Sequence, residues 1–352
     1  MVFKTVNYFR HSKQVKVMEF TFCIGTDVSK NKLDFAVMQS RQLLFHREVE
    51  NTVKAINAFL KELLKLPGFD LKQALFCMEH TGIYNNHLLV CLHKMKANIC
   101  LEAASQIKNS LGNLRGKNDK IDSIRIAEYA YRNQYELRLW TPKREILVEL
   151  SQLASTRSRL IEARKILTTA IKENHGFISK KIAKQNKNLC SRTLKAINED
   201  LLKTDKAIDI IISEDPGLKR LFGIITSVCG IGNVTATQIV ITTNEFKDIN
   251  EAKKFACYAG LAPFVKESGI FKGKARVSPM ANKKVKTLLH LAALVAIQHN
   301  PELRTYYERK VNEEKKNKMS VINAIRNKLI LRVFACVKQD RKYEKNYSKL
   351  LV

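Results

Sequence analysis

Four carboxylates in the N-terminal third of the chain have a spacing that could support metal-assisted phosphodiester chemistry. Asp27 follows an apolar run in FCIGTDVSK, and Glu79 ends a second apolar run in ALFCMEH. Asp119 and Asp122 stand three residues apart in KNDKID, where a helical pattern starts, so both lie on one helix face. Cleavage of this kind uses carboxylates around two divalent ions about 4 Å apart, and Mg²⁺ prefers oxygen ligands. We therefore predict that these four acids form a catalytic site for Mg²⁺, with two ions.

Each acid also has a structural explanation. An Asp at a strand end is often structural, and the first turn of a helix favours negative charge, as at Asp119 and Asp122. The chain nevertheless has a formal net charge of +29, so four acids in this order and context are conspicuous. The combination favours a functional set.

The elements that must position these acids alternate between strands and helices. The first three strand patterns are separated by short polar turns, which predicts an antiparallel meander. The order strand, strand, strand, helix, strand, helix, strand, helix predicts an RNase H-like (RuvC-like) α/β domain over residues 20–141, after a basic extension over 1–19. Many α/β folds share such alternation. Strand patterns cover 20–24, 33–38, 43–49, 74–78 and 98–101, and helical patterns cover 52–66, 83–95 and 120–131.

Residues 142–216 form a predicted helical connector. Apolar residues recur at alternating a and d positions, and Arg157 and Arg164 interrupt the seam. The pattern predicts one or two long helices, such as a coiled-coil hairpin that ends near Pro216 and Gly217. Two functions fit this segment equally: a solvated connector, or an arm that pairs two subunits.

A mainly helical C-terminal domain is predicted over 217–310, followed by a basic helical tail over 311–352. Within it, the turn Gly230-Ile231-Gly232 resembles a helix-hairpin-helix. Exposed backbone N–H groups at such a turn can hold a phosphate. A tight helix–helix turn without a ligand explains the same residues.

The charge balance points to a polyanionic partner. The chain has 62 Lys+Arg against 33 Asp+Glu, and residues 264–290 carry seven basic residues against one acid. This excess costs self-repulsion, and nucleic acid is the commonest compensating partner. No stretch approaches the roughly 18 apolar residues that span a bilayer, so we expect no membrane partner. The eight cysteines are scattered without a CxxC, as expected for a protein of the reduced cytoplasm without a zinc site.

Motifs in both halves of the chain resemble one known family. GTDVSKNKLDFAV, MEHTGIY and LRGKNDKIDSIRIAEYA resemble the N-terminal segment of DEDD-type insertion-sequence transposases, and SVCGIGNVTA and YAGLAP followed by ESG resemble C-terminal motifs of the same family. The resemblance covers about residues 20–300. It implies a RuvC-like domain whose metal-binding acids are Asp27, Glu79, Asp119 and Asp122.

The resemblance also implies a nucleophile, since the family serine in the SG dipeptide after GLAP falls on Ser268. Ser278 ranks second as a nucleophile. From the residues alone, Ser268-Gly269 is more simply a turn between helices. The chain departs from the usual family pattern after this serine: Ala281 and Lys286 occupy positions of a Gly and an Arg. Lys cannot hold two phosphate oxygens as Arg does, so the two-oxygen contact of that Arg is not expected here, although Lys286 can still neutralise a phosphate as a point charge.

Eleven residues are candidates for contacts with nucleic acid. They include basic residues beside the acidic pair, the turn glycines, and basic residues around and after Ser268. The candidates are Lys117, Lys120, Gly230, Gly232, Lys266, Lys272, Lys274, Arg276, Lys283, Lys284 and Lys286.

The expected function is therefore transposition of an insertion sequence by cutting and rejoining DNA strands, in a bacterial, nucleoid-associated setting. The resemblance further implies an element-encoded bridge RNA that pairs with donor and target DNA, and joining two duplexes makes a dimer or tetramer plausible by analogy. A RuvC-like junction nuclease that uses water as its nucleophile is the alternative. A non-catalytic nucleic-acid-binding protein fits the charge but not the four acids.

Overall fold

The computed structural model describes residues 19–110, 118–173, 177–264, 267–268, 271–273, 275–278 and 281–345. The chain divides into two compact units, Met1–Pro142 and Lys143–Val352. Among the described helices, none is long and apolar enough to cross a membrane.

The N-terminal unit is built on a five-stranded mixed sheet of order β3-β2-β1-β4-β5. β2 runs antiparallel to β1 and β3, and β1, β4 and β5 are parallel. This is the RNase H-like topology, so the predicted meander and fold class are confirmed. The strands are β1 (Phe22–Val28), β2 (Lys32–Gln39), β3 (Gln42–Glu50), β4 (Ala74–Glu79) and β5 (Asn98–Glu102).

Helices cover both faces of this sheet. The helices are α1 (Val53–Leu63), α2 (Asn86–Lys94), α3 (Ala104–Ser110) and α4 (Asp119–Asn133). α1 and α2 bury Phe59 and Leu88 against the face that carries Phe22 and Phe76. α4 packs on the opposite face, where Cys23 belongs to the same buried cluster as residues of α4. Each fully buried side chain of this size contributes about 1.5–3 kcal/mol.

The C-terminal unit begins with two long antiparallel helices, α5 (Glu145–Glu173) and α6 (Lys180–Glu214). They form the helical hairpin that the a/d pattern predicts. Buried side chains occur only at its base, including Leu150 and Ile208, and no described residue from 151 to 200 is buried. The outer part of the hairpin therefore has an apolar seam that remains partly accessible.

The rest of this unit is mainly helical. It contains α7 (Pro216–Thr226), α8 (Asn233–Thr243), α9 (Ala252–Tyr258), α10 (Lys283–His299), α11 (Pro301–Glu308) and α12 (Lys318–Lys338). Four two-residue strands form two pairs: β6 (Pro263–Phe264) with β9 (Arg276–Val277), and β7 (Glu267–Ser268) with β8 (Phe271–Lys272).

The segment predicted as a basic tail contributes to the core of this unit. α12 has nine buried residues and packs against α7, α9 and α10. Apolar residues at intervals of four, such as Val321, Ile325, Leu329 and Val333, give it an apolar stripe despite the basic composition of the segment. The helical part of 311–352 is thus a packed core helix.

Candidate active site

Two of the four acids lie on adjacent parallel strands of the sheet. Thr26 of β1 pairs with Met78 of β4. Asp27 directly follows Thr26, and Glu79 directly follows Met78 and ends β4. Because side chains alternate between faces along a strand, Asp27 and Glu79 lie on the same face at the same end of the sheet. Asp27 lies inside β1 rather than beyond the strand end, since β1 extends four residues past the predicted boundary.

α4 brings the other two acids to this face. Asn118 caps the helix by accepting a hydrogen bond from the backbone N–H of Ile121, so α4 begins at Asp119. A Cβ atom at Gly25 would overlap the backbone of Ser123 and Ala127, which shows how closely α4 crosses β1. Gly25 lies two residues before Asp27, on the same strand face. The glycine therefore allows the first turn of α4 to approach Asp27.

The electrostatics of Asp27 show that all four acids interact. Burial and, in decreasing order, the charges of Asp119, Glu79 and Asp122 together raise the pKa of Asp27 to about 6. The backbone N–H of Val28 opposes these effects by donating a hydrogen bond. A carboxyl with this pKa is mostly ionised at pH 7, although three other carboxylates repel its charge. The arrangement concentrates negative charge that a cation would relieve.

The two helix acids are held by basic side chains. Asp119 Oδ2 lies 2.9 Å from Lys32 Nζ, and Asp122 Oδ1 lies 2.9 Å from Arg125 Nη1. In the described parts of the chain, no three His, Cys, Asp or Glu side chains are close enough together to hold a metal ion. The acids are thus electrostatically coupled without having converged to ligating distances.

The chemistry of the donor set fits divalent Mg²⁺. All four candidates are carboxylates, which are hard oxygen ligands, and the charges of the other three add to burial in raising the pKa of Asp27. Asp27 and Glu79 come from the sheet, and Asp119 and Asp122 come from one helix turn, so a divalent ion would be held by side chains of both elements.

Sequence reasoning missed three polar residues on the same face. Asp34 lies directly opposite Asp27 in the β1–β2 pairing and is buried. The Nε2 atom of His46 lies 2.9 Å from Asp34 Oδ1, and Lys32 Nζ lies 3.6 Å from Asp34 Oδ2. The available signal was the period of two along KLDFAVM, which places Lys32 and Asp34 on one strand face.

The candidate nucleophile lies in the C-terminal unit. Ser268 is exposed at the end of β7, and it pairs with Phe271 in the antiparallel β7–β8 hairpin. The prediction that Ser268 lies between two helices is therefore wrong, because residues 267–268 and 271–272 pair as strands. Ser278 follows β9, is only partly exposed and has an interaction partner.

The two glycines of the helix–helix turn have different environments. Gly230 has φ +94°, and a Cβ atom there would overlap Ala292 and Ala296 of α10, so packing alone requires glycine. Gly232 has open space around the position of a Cβ atom, and it precedes α8 as an N-cap that provides no side-chain hydrogen bond.

Three predicted basic residues cluster at the start of α10. Lys283, Lys284 and Lys286 lie in its first turns, which contain no acid, and the N-cap is Asn282. Partial burial and the nearby charge of Arg157 lower the pKa of Lys284. Cations at a helix N-terminus oppose the helix dipole, so this cluster is unfavourable unless an anion binds there.

The remaining candidates are placed only in part. Lys120 is exposed in the first turn of α4, and Arg276 is exposed in β9. Lys272 lies in β8, and its side chain is outside the described part of the structure. Lys117, Lys266 and Lys274 lie outside the described residues.

Comparisons with known proteins agree with the motifs in both halves of the chain. A model of IS110-type DEDD transposases, described as "Transposase", matches residues 24–174. A second model, "Transposase IS116/IS110/IS902 family", matches residues 223–308. The first match contains all four acids, and the second contains the helix–helix turn and Ser268.

Individual relatives extend over most of the chain. A pilin gene-inverting protein of Moraxella bovis is 23% identical over 331 residues, which cover 92% of this chain and 97% of that protein. An uncharacterized 43.6 kDa protein of insertion element IS110 from Streptomyces coelicolor is 26% identical over 43% of this chain and 36% of its own length. Thermus thermophilus RuvC bound to a Holliday junction is 14% identical, with a TM-score of 0.28, covering 34% of this chain and 99% of RuvC.

The two family matches occur in N- to C-terminal order and contain the motifs quoted above, and the relatives include an insertion-element protein and a gene-inverting protein. The chain therefore belongs to the IS110-type DEDD transposases, which are DNA-recombining enzymes.

Proposed function

We propose that this chain transposes an insertion sequence by cutting and rejoining DNA strands, with Mg²⁺ held by Asp27, Glu79, Asp119 and Asp122 and with Ser268 as the nucleophile. The observation that carries the proposal is the grouping of four carboxylates at one end of an RNase H-like sheet, where burial and the charges of the other three acids raise the pKa of Asp27 to about 6. A site of this charge is costly to the fold unless it binds cations.

The acids have distinct tasks in this proposal. Asp27 and Glu79, in two adjacent strands of the sheet, fix the position of the cation site, and Asp119 and Asp122 complete it from α4. Bound divalent ions supply charge neutralisation at the attacking and leaving oxygens of a phosphodiester. Asp27 must be ionised to bind a cation, so its pKa predicts activity that rises with pH through about 6.

Ser268 is proposed to carry the DNA strand between cleavage and rejoining. Its Oγ loses a proton and forms a bond to phosphorus, the strand's P–O bond breaks, and the leaving oxygen gains a proton. The resulting phosphodiester with serine keeps the energy of the original bond, so rejoining needs no external energy source. The exposed position of Ser268 at the end of β7 leaves its hydroxyl accessible to a strand.

A denaturing gel with a nicked, end-labelled DNA substrate tests this role. The wild-type protein should form a covalent protein–DNA adduct, and Ser268→Ala should lose it. Ser278→Ala is the matched control and should retain the adduct. Cleavage without an adduct in the wild type would instead indicate a water nucleophile and the RuvC-like nuclease alternative. Loss of the adduct only in Ser278→Ala would move the nucleophile to that serine.

We also propose partners for this reaction: donor and target DNA, an element-encoded guide RNA, and further copies of the chain. Support comes from the net charge of +29, from the lysines at the start of α10 and from the partly accessible apolar seam between residues 151 and 200. Sequencing of co-purified RNA tests the guide, since recombination after exhaustive ribonuclease treatment would refute it. Light scattering on the purified chain tests self-association, and a monomer at all concentrations, with and without DNA, would refute it.

A further inference from the structure

Lys32 connects one of the proposed metal ligands to the sheet. Its Nζ atom lies 2.9 Å from Asp119 Oδ2, 2.9 Å from Glu48 Oε2 and 3.6 Å from Asp34 Oδ2. Asp119 belongs to α4, whereas Glu48 and Asp34 belong to β3 and β2. The ammonium group therefore joins the helix that supplies two acids to the strands beside Asp27.

The strand registers explain why Lys32 reaches this position. Asp34 pairs with Asp27 on one side and with Glu48 on the other, so these three carboxylates form a row across the sheet. Lys32 precedes Asp34 by two residues and lies on the same face, at the end of β2 near the start of α4. Any cation at this point faces the carboxylates of both the sheet and the helix.

The surroundings of Lys32 favour its charged form, because three carboxylates lie within 4 Å of its ammonium group. Hydrogen bonds to Asp119 and Glu48 raise the pKa of its ammonium above the usual range. Its side chain is 38% exposed, so it can change partners without unpacking the core. Arg125 is different, because its partner Asp122 is on the same helix, three residues away.

The contact with Asp119 conflicts with metal binding. An oxygen that accepts a hydrogen bond from an ammonium group at 2.9 Å has a unit positive charge where a divalent ion would need to approach. A cation can bind Asp119 Oδ2 only if Lys32 leaves that oxygen, and a cation on Oδ1 is repelled by the ammonium group beside it. Glu48 already accepts a hydrogen bond from the same Nζ atom and can keep it after that movement.

We propose that Lys32 is a positioning residue for metal loading: its ammonium is the internal counter-ion of Asp119 in the metal-free protein and competes with the divalent ion for that carboxylate. This inference rests on the proposed role of the four acids. Without the ammonium group of Lys32, Asp119 would lose this ion pair, and the metal-free site would carry one more uncompensated negative charge.

Titration of the metal-free full-length chain with Mn²⁺, with free Mn²⁺ counted by electron paramagnetic resonance, tests the inference without any assay of DNA. Lys32→Gln should bind Mn²⁺ about twofold to fivefold more tightly than the wild type, the size expected when one exposed ion pair no longer competes. Lys30→Gln is the matched control. It removes the same charge from an exposed position two residues away and should leave the affinity within twofold of wild type.

A second pair of variants isolates the contact with Asp119. In the Asp119→Asn background, adding Lys32→Gln should no longer tighten Mn²⁺ binding. Tightening that persists there, equal tightening by Lys30→Gln, or unchanged or weaker binding by Lys32→Gln would each overturn the inference. Failure of the proposed function gives a different result, because the wild type and Asp27→Asn would then have the same Mn²⁺ affinity.

Discussion

Replacing Asp27 with Asn should stabilise the metal-free N-terminal unit and remove its response to divalent ions. Asp27 is a half-buried carboxylate that three other carboxylates repel, so its charge opposes folding. Asn has nearly the same shape and no charge. The substitution therefore separates the electrostatic cost of this residue from its packing.

The size of the effect follows from the pKa. A carboxyl with a pKa of about 6 in the folded chain and 3.8 in the unfolded chain costs about 3 kcal/mol of unfolding free energy at neutral pH if solvent does not screen it. Asp27 is only partly buried, so screening reduces the expected gain in Asp27→Asn to about 1–2 kcal/mol.

The gain should depend on pH with a defined sign. Between pH 3.8 and about 6 the folded chain binds more protons at Asp27 than the unfolded chain, so this residue makes stability fall as pH rises through that window. The difference between Asp27→Asn and the wild type should be small near pH 4, grow towards pH 6 and remain constant above about pH 7.

The single tryptophan gives a local assay. Trp140 packs against the core of the N-terminal unit, and its backbone N–H donates to the carbonyl of Ile99, so its fluorescence reports unfolding of that unit. Urea titrations in EDTA give the free energy of unfolding, and repetition with Mg²⁺ gives the metal response. Glu136→Gln, at an exposed position, is the control and should change neither. Destabilisation by Asp27→Asn at pH 7.5, or an unaltered metal response, would refute the reasoning.

Two pairs of glycine substitutions test the packing that positions the proposed sites. Gly25→Ala should lower the free energy of unfolding by about 3 kcal/mol in the tryptophan assay and weaken Mn²⁺ binding, because its Cβ would displace α4. Gly82→Ala should lower it by about 1 kcal/mol, because Gly82 has φ +75° but open surroundings. Equal losses in the two variants would contradict the close approach of α4 to Gly25. Gly230→Ala should lower the free energy of unfolding by about 3 kcal/mol, measured by calorimetry, because its Cβ would overlap α10. Gly232→Ala should lower it by less than about 0.5 kcal/mol. A larger loss in Gly232→Ala would contradict the open surroundings of that glycine.

The strand and helix order of the N-terminal unit was predictable because each element has a clear apolar period. The end of β1 was not predictable in this way. The predicted strand stopped at Ile24, before Gly25, since glycine is unfavourable inside strands. The strand continues through Gly25 because this residue pairs with Ala36 and Cys77, and the backbone of α4 occupies the space that a side chain at Gly25 would need. That reason is non-local, so no window of sequence around Gly25 contains it.

The proposed site was predictable to a similar extent. The acids stood out by type, order and resemblance, but Lys32 did not, because one lysine among 62 basic residues has no distinguishing local signal. The strand pairs around Ser268 are two residues long, and they are defined only by partners across the hairpins. The buried face of α12 was obscured by its basic composition, although its apolar residues recur at intervals of four.

The four acids of the N-terminal unit differ in how fully nearby basic side chains neutralise them. Lys32 and Arg125 compensate the two acids at the first turn of α4, whereas Asp27 in β1 keeps a raised pKa. A site whose strand acid were equally well paired would gain stability and lose its attraction for a cation, since any ion would have to displace that partner as well. Under the proposed function, this uneven compensation would leave Asp27 as the carboxylate that attracts the first ion, and that ion would then compete with Lys32 for Asp119. We therefore expect the strand acid to be occupied before the helix acid, because Asp119 and Asp122 are held in ion pairs whereas the pKa of Asp27 is raised.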